Sequence, residues 1–267
     1  MDRPILWQLE ISHYNEKVRW ALDYKQIPHV RRSLLPGIHR LKCLQLTKGQ
    51  VKTTPLLTIG DESIGDSTRI IAALEERWPE PPLYPADPDE RRRALELEEF
   101  FDKELGPDIR RALYHELLDR PELVLPLFLH GQTPAAQAML RACFPVLKLA
   151  MRRDMNIYEE PAADSRDKMR VALSRLEEEI QPSGYLVGDS FSVADLSAAA
   201  LFYPLAGPPP EYPYPTISRD EVPGTAQEFL AEVEGRAGVE WLKDMYRRHR
   251  RPGVPESYLS SAPAGSS

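Results

Sequence analysis

The ten residues "PEPPLYPADP" (79–88) hold five prolines. Proline fixes φ and has no backbone N–H, so this stretch can be neither a helix interior nor a central strand. It divides two kinds of sequence. Before it the hydrophobic period keeps changing, and after it the period is helical almost throughout.

In the first part, residues 4–10 read as a strand and 14–26 as a helix ending before Ile27-Pro28. "HVRRSLL" (29–35) is a second extended run, and "PGIHRLKCLQLT" a short helix or irregular segment closed by Gly49. "PLLTI" (55–59) reads as a buried strand and "GDES" (60–63) as a hairpin turn. "TRIIAALEERW" then repeats its apolar residues at helical spacing, with Asp66 or Ser67 as N-cap. The predicted order is β-α-β-α-β-β-α. Beyond the prolines, 89–118 reads as one long helix with a bend near Gly106-Pro107, and 122–157 as one or two helices interrupted near Pro134 and Pro145. A periodic helix covers 164–180, an apolar, buried one covers 192–205, and one or two helices follow a rigid Pro-rich loop at 206–217. The spans are 1–80 for an α+β domain, 81–88 for a linker, 89–250 for an all-α helical bundle and 251–267 for a disordered tail.

Composition narrows the function classes. Net charge is −7, which argues against a nucleic-acid binder relying on bulk positive charge. Residues 1–80 hold 12 Lys/Arg against 10 Asp/Glu and the remainder 22 against 31, so the first domain is the better place for an anion. Two cysteines cannot build a disulfide framework, a CxxC pair or a cysteine-rich zinc site. With no signal-peptide pattern at the start and no run of 18 apolar residues, a soluble cytoplasmic protein is expected, without membrane or metal.

The candidate chemistry begins at "ISHYNEKVRWAL" (11–22), where polar side chains lead into an amphipathic helix. Ser12, between strand and helix, is a natural N-cap. The same place offers free N–H groups and a partial positive charge, which favour an anion. "SVAD" (192–195) reads as a structural capping box.

Taken in order, five segments resemble the cytosolic glutathione S-transferases: "SHYNEKVRWAL", "GIHR" (37–40), "KTTPLL" (52–57), "IGDSTRIIAALEE" (64–76) and "LVGDSFSVADLSAAA" (186–200). The resemblance implies a thioredoxin-like N-terminal domain followed by an all-helical C-terminal domain, glutathione as cosubstrate, and a homodimer. It implies that Ser12 stabilises the glutathione thiolate, since Trp7 and Leu9 stand where tyrosine-type members carry their tyrosine. Thr54 and a cis Pro55 would pair with the cysteinyl part of glutathione. Asp66 and Ser67 would hold the γ-glutamyl ammonium and carboxylate, and His39, Arg40 and Lys52 are candidates for the glycyl carboxylate. His13 and Asn15 depart from the family pattern and, with Tyr14, are possible modulators. His13 reads as a solvent-exposed histidine and Tyr14 as an interdomain packing residue. The resemblance implies an apolar second pocket, drawn from 108–118, 139–158 and the C-terminal helices, that takes small hydrophobic electrophiles. Two rivals stand beside conjugation: a non-catalytic binding protein on this fold, and glutathione-dependent peroxide reduction or isomerisation.

Overall fold

The computed structural model describes residues 3–207 and 214–251. The expected tail and the centre of the Pro-rich loop lie outside them. Strands β1 (Ile5–Gln8), β2 (Val30–Ser33), β3 (Leu56–Ile59) and β4 (Glu62–Gly65) form one sheet in the order β2-β1-β3-β4. β1 and β2 are parallel, with Ile5 opposite Val30; β1–β3 and β3–β4 are antiparallel. The β1–β2 crossover is carried by α1 (His13–Tyr24). After β2 comes α2 (His39–Leu46), and after β4 comes α3 (Ser67–Arg77). This is the predicted order and a thioredoxin-like sheet domain.

The helical domain begins with α4 (Pro88–Phe100), whose start is capped by Asp87. A π-turn at Phe101–Leu105 leads into α5 (Gly106–Leu117). Then come α6 (Pro121–Leu129), α7 (Pro134–Asp154), α8 (Glu159–Glu179) and α9 (Val193–Leu201). A short α10 (Tyr203–Ala206), α11 (Gly224–Val233) and α12 (Ala237–His249) follow. α9 opens on the capping box expected at Ser192 and Asp195. Burial pushes the Asp195 carboxyl up to about 6, against the hydrogen bonds it accepts from the Leu186 and Ser192 N–H groups.

Two expectations need correction. α7 runs through Pro145 instead of breaking there. Pro145 is exposed, so the carbonyl that loses its helical donor faces the wet side of the helix. α1 is not amphipathic in place, because ten of its twelve residues are buried. One side packs on α3 beside the sheet and another on α9. Val18, Trp20, Ala21 and Leu22 therefore share one apolar core with Ile70 and Leu74 of α3 and with Leu97, Phe101, Ala198 and Leu201 of the helical domain. A second core, around Leu117, Val124, Phe128, Leu140 and Phe144, joins α5 to the α6–α7 pair.

Burying α1 on both sides also buries its charges. Glu16, Lys17, Arg19 and Asp23 are each at most 1% exposed. Charges that deep are tolerable only when paired and hydrogen-bonded. Their partners come from the helical domain as well as from the sheet domain.

Candidate functional site

Ser12 caps α1. Its Oγ accepts a hydrogen bond from the Asn15 N–H at 3.4 Å. Capping uses a lone pair of the hydroxyl and leaves its proton free to donate elsewhere. Asn15 then ties this helix start to the β3 approach, its Nδ2 donating to Thr54 Oγ1 at 3.2 Å. The Thr54–Pro55 peptide is cis, as the resemblance implies. At the same end of the β3–β4 hairpin, where Leu56 pairs with Gly65, Asp66 caps α3 by accepting from the Arg69 N–H, with a left-handed φ of 75°. Asp and Asn tolerate that conformation better than most residues with a Cβ. Ser67 is the buried first residue of α3.

Of these residues, Thr54, Pro55, Asp66 and Ser67 line one side of a cleft of about 570 Å³. Tyr14, Thr53, Thr54, Pro55, Asp66, Ser67 and Thr68 form the sheet-domain wall. Leu95, Glu98, Glu99, Asp102, Lys103 and Arg110 form the facing wall. Ser12, His13, Asn15, His39, Arg40 and Lys52 are not among its lining residues. Arg40 is engaged in an ion pair with Asp154 of α7. Lys52 is exposed, and His39 has an Nδ1 without a partner, burial pushing its pKa down to about 4.

The facing wall differs from expectation. It is mostly charged and comes from 95–110, whereas an apolar wall from 108–118, 139–158 and the C-terminal helices was expected. An apolar cavity of about 90 Å³ lies instead between α5, α8, α10 and α11, lined by Ile109, Met169 and Phe229 among others, so the 108–118 and C-terminal parts of the expectation meet there and 139–158 does not. Phe144 is core, and Leu147, Met151 and Met155 pack against that core.

The π-turn explains how the two walls meet. Gly106 N–H bonds to the Phe101 carbonyl five residues back, the π register. The next residue, Pro107, has no N–H to give. The Asp102 carbonyl is thus left without a helical donor, and Tyr14 Oη donates to it at 2.6 Å. Burial, then the Asp102 charge, pushes the Tyr14 phenol well above its usual range, so it remains a neutral donor. A Cβ at position 106 would lie 2.1 Å from Tyr14 Oη, so only glycine admits this approach. Tyr14 is an interdomain residue, as its sequence context suggests.

Beside it, Lys17 Nζ lies 2.7 Å from both Glu98 Oε1 and Asp102 Oδ2. Thr68 Oγ1 contacts the same two oxygens at 3.0 and 2.7 Å. Burial would lower the Lys17 pKa, but the two carboxylates outweigh it and raise it. Each carboxylate keeps one buried oxygen with no hydrogen-bond partner, Glu98 Oε2 and Asp102 Oδ1. The cleft therefore has an acidic end built from Asp66, Glu98 and Asp102.

His13 is buried, not solvent-exposed. The helical domain covers it, its ring sits 4.6 Å from that of Tyr14, and its Nε2 has no partner. Burial first, then the Arg110 charge, pushes its pKa down to about 3. Lys17, Thr68, Glu98, Asp102 and Arg110 were not singled out in the sequence. Lys17 stands inside the quoted motif, but nothing local says that it points at a helix some eighty residues away.

The basic segment 245–251 reaches back to the sheet domain. Arg250 reaches α1 and contacts Glu16 Oε1 at 2.7 Å and Asp23 Oδ2 at 2.8 Å. Glu16 also pairs with Arg19 at 2.7 Å, and Asp23 holds Arg31 through both oxygens.

A thioredoxin-like sheet with a cis proline, closed over its cleft by a helical bundle with a capping box, defines a two-domain architecture. Residues 6–82 match the family model described as the N-terminal domain of glutathione S-transferase, and residues 141–227 match that of its C-terminal domain. The chain belongs to the glutathione S-transferase family. FtsZ-localized protein A of Caulobacter vibrioides is 28% identical over 137 residues, 51% of this chain and 47% of that protein. The match thus spans about half the length of that curated relative. Among solved structures, the β-etherase LigF of Sphingobium sp. strain SYK-6 superposes with TM-score 0.57 at 18% identity, covering 91% of this chain and 99% of its own. A glutathione S-transferase from Xanthobacter autotrophicus Py2 gives 0.59 at 17%, covering 94% and 95%. These two likenesses concern the fold.

Among the described residues, no group of His, Cys, Asp or Glu is placed to hold a metal ion, and no helix is long and apolar enough to cross a membrane.

Proposed function

We propose that the protein binds glutathione and transfers its thiolate to small electrophiles. The observation that carries this reading is the Ser12 hydroxyl, which caps α1 with a lone pair and keeps its proton for a sulfur. A helix N-terminus and a hydroxyl donor both favour the thiolate over the thiol. Thr54, before the cis Pro55, is tied to that helix start by Asn15 and offers its backbone to the cysteinyl unit as an added strand would. The γ-glutamyl carboxylate goes to Ser67 at the start of α3. The ammonium goes to Asp66, in a cleft whose facing wall adds the negative charge of Glu98 and Asp102. For the glycyl carboxylate the candidates are Lys52, His39 and Arg40, of which Arg40 must first leave Asp154.

The same thiolate would serve peroxide reduction or isomerisation. The similarity to a protein named for its localisation with FtsZ supports a second reading, an interaction module that localises with FtsZ. A cytoplasmic homodimer belongs to the main reading, supported by exposed Leu41 in the sheet domain and exposed Val146 and Leu149 in the helical one.

The test joins immobilised glutathione to a panel of electrophiles. Retention and conjugation are expected, and Ser12→Ala is expected to retain glutathione while losing turnover by about 10²-fold. Unchanged turnover and an unchanged pKa of the bound thiol in that variant would reduce Ser12 to a cap. No retention would leave the interaction module standing.

A further inference from the structure

Arg110 is the unexplained charge of the cleft. It lies on α5, lines the cleft, and has no hydrogen bond or ion pair among the described residues. Its Nε is buried without a partner. The other cations in or under the cleft are accounted for: Lys17 by Glu98 and Asp102, Lys103 by Glu99. A guanidinium is planar, always charged and carries five donors in a fork that matches a carboxylate. Leaving such a group partly desolvated and unpaired is costly.

Its surroundings mark the end of the cleft where it acts. The Arg110 charge is felt by His13, Tyr14 and Tyr114. His13 follows Ser12 directly and is held neutral, so it adds no second charge there. Tyr14 also feels the charges of Asp102, Asp66 and Asp108, none of which pairs with Arg110. Asp102 is eight residues earlier, roughly 12 Å along a helix rising ~1.5 Å per residue. The cleft thus carries carboxylates whose cationic partner is Lys17 and, near Tyr14, one guanidinium without a partner.

We infer that Arg110 receives an anionic group, a carboxylate above all, of the second substrate, so that the protein selects small electrophiles bearing a carboxylate over neutral ones. The inference rests on the thiol-transfer reading for the word substrate, but the anion site itself can be tested without any reaction. Arg110 replaces the apolar wall that the family resemblance suggested with a charged anchor, and its bidentate geometry would set the electrophile's orientation.

The experiment compares 3-nitrobenzoate with 3-nitrobenzamide, a neutral isostere, by titration calorimetry on the full chain with S-methylglutathione present and absent. The benzoate is expected to bind ~10- to 100-fold more tightly, the range for a charge-assisted hydrogen bond. Arg110→Gln is expected to abolish that preference without moving the benzamide, and Arg110→Lys to keep part of it. With 4-chloro-3-nitrobenzoate and its amide as reacting partners, the same preference is expected in kcat/KM. Equal binding of the two probes, binding of neither, or a preference that survives Arg110→Gln overturns the inference. Should Arg110→Gln not fold, the wild-type preference and its reduction in Arg110→Lys decide. Glutathione retention without benzoate preference overturns this inference alone, and benzoate preference without glutathione retention overturns the functional reading alone.

Discussion

The two buried charge clusters on α1 look alike and differ in one respect. On the cleft side, Lys17 meets Glu98, Asp102 and Thr68, and two carboxylate oxygens remain without partners. On the other side, Glu16, Arg19, Asp23, Arg31 and Arg250 leave no buried side-chain polar atom unsatisfied. Both join the sheet domain to the helical one. The closed cluster has spent its hydrogen-bonding capacity on the protein, whereas the open one has kept some, and unspent capacity beside a cleft is capacity for a ligand. Burial of charge is therefore no sign of function here, and incomplete satisfaction of buried charge is the better guide.

The comparison breaks most visibly in the closed cluster. Glu16→Gln strands Arg19 and Arg250 in the interior, with an expected loss of ~3–5 kcal/mol in denaturant unfolding and glutathione affinity unchanged. A loss under ~1 kcal/mol would show that water already reaches the cluster. The acid limb belongs to the same test. Burial alone would raise the Glu16 pKa, but Arg250 and Arg19 hold it down at about 2 against 4.5 when unfolded. A depressed carboxyl contributes stability that is complete above pH 4.5 and is lost as the pH falls towards 2. The Glu16→Gln variant should lack that slope.

Asp102→Asn tests the open cluster. Lys17 keeps Glu98, so the expected stability loss is smaller, about 1–2 kcal/mol, while glutathione binding by calorimetry weakens by roughly tenfold or more. The opposite pattern, lost stability with unchanged binding, would make the two clusters equivalent.

The smallest effect comes from His13. Its imidazole is held neutral down to about pH 3, whereas the unfolded chain takes up the proton near pH 6.5. Between those values the unfolded state binds more protons, so stability rises with pH, at most by ~1.4 kcal/mol per unit from this group. His13→Asn should flatten the window from pH 5 to 6.5 in a series of unfolding curves. His29 and His39, both depressed to about 4, would remain as a residual slope.

The residues that a sequence reader finds and those missed divide on a physical line. The sheet order, the caps at Ser12 and Ser192 and the cis proline candidate are local, written within a few neighbouring positions by period, side-chain type or motif. Lys17, Glu98, Asp102 and Arg110 act across the domain interface. On their own segments they look like members of a solvated helical face, because periodicity records how polar a face is and not what later packs against it. His13 belongs with them, since only the arrival of α5 makes it interior. The π-turn was invisible as a bend near Gly106-Pro107, although the missing N–H of Pro107 was its cause. Pro145 shows the converse, a helix-breaking residue tolerated because α7 carries it on its wet side.

Gly106 ends up as a gauge. The Tyr14 hydroxyl occupies the space where any other residue would place its first carbon, so the separation of the cleft walls is fixed by the absence of a methyl group. Widening by even one carbon would detach Tyr14 from the Asp102 carbonyl and move the acidic end and Arg110 together away from α1. The separation of the two cleft walls is a length written in one hydrogen atom.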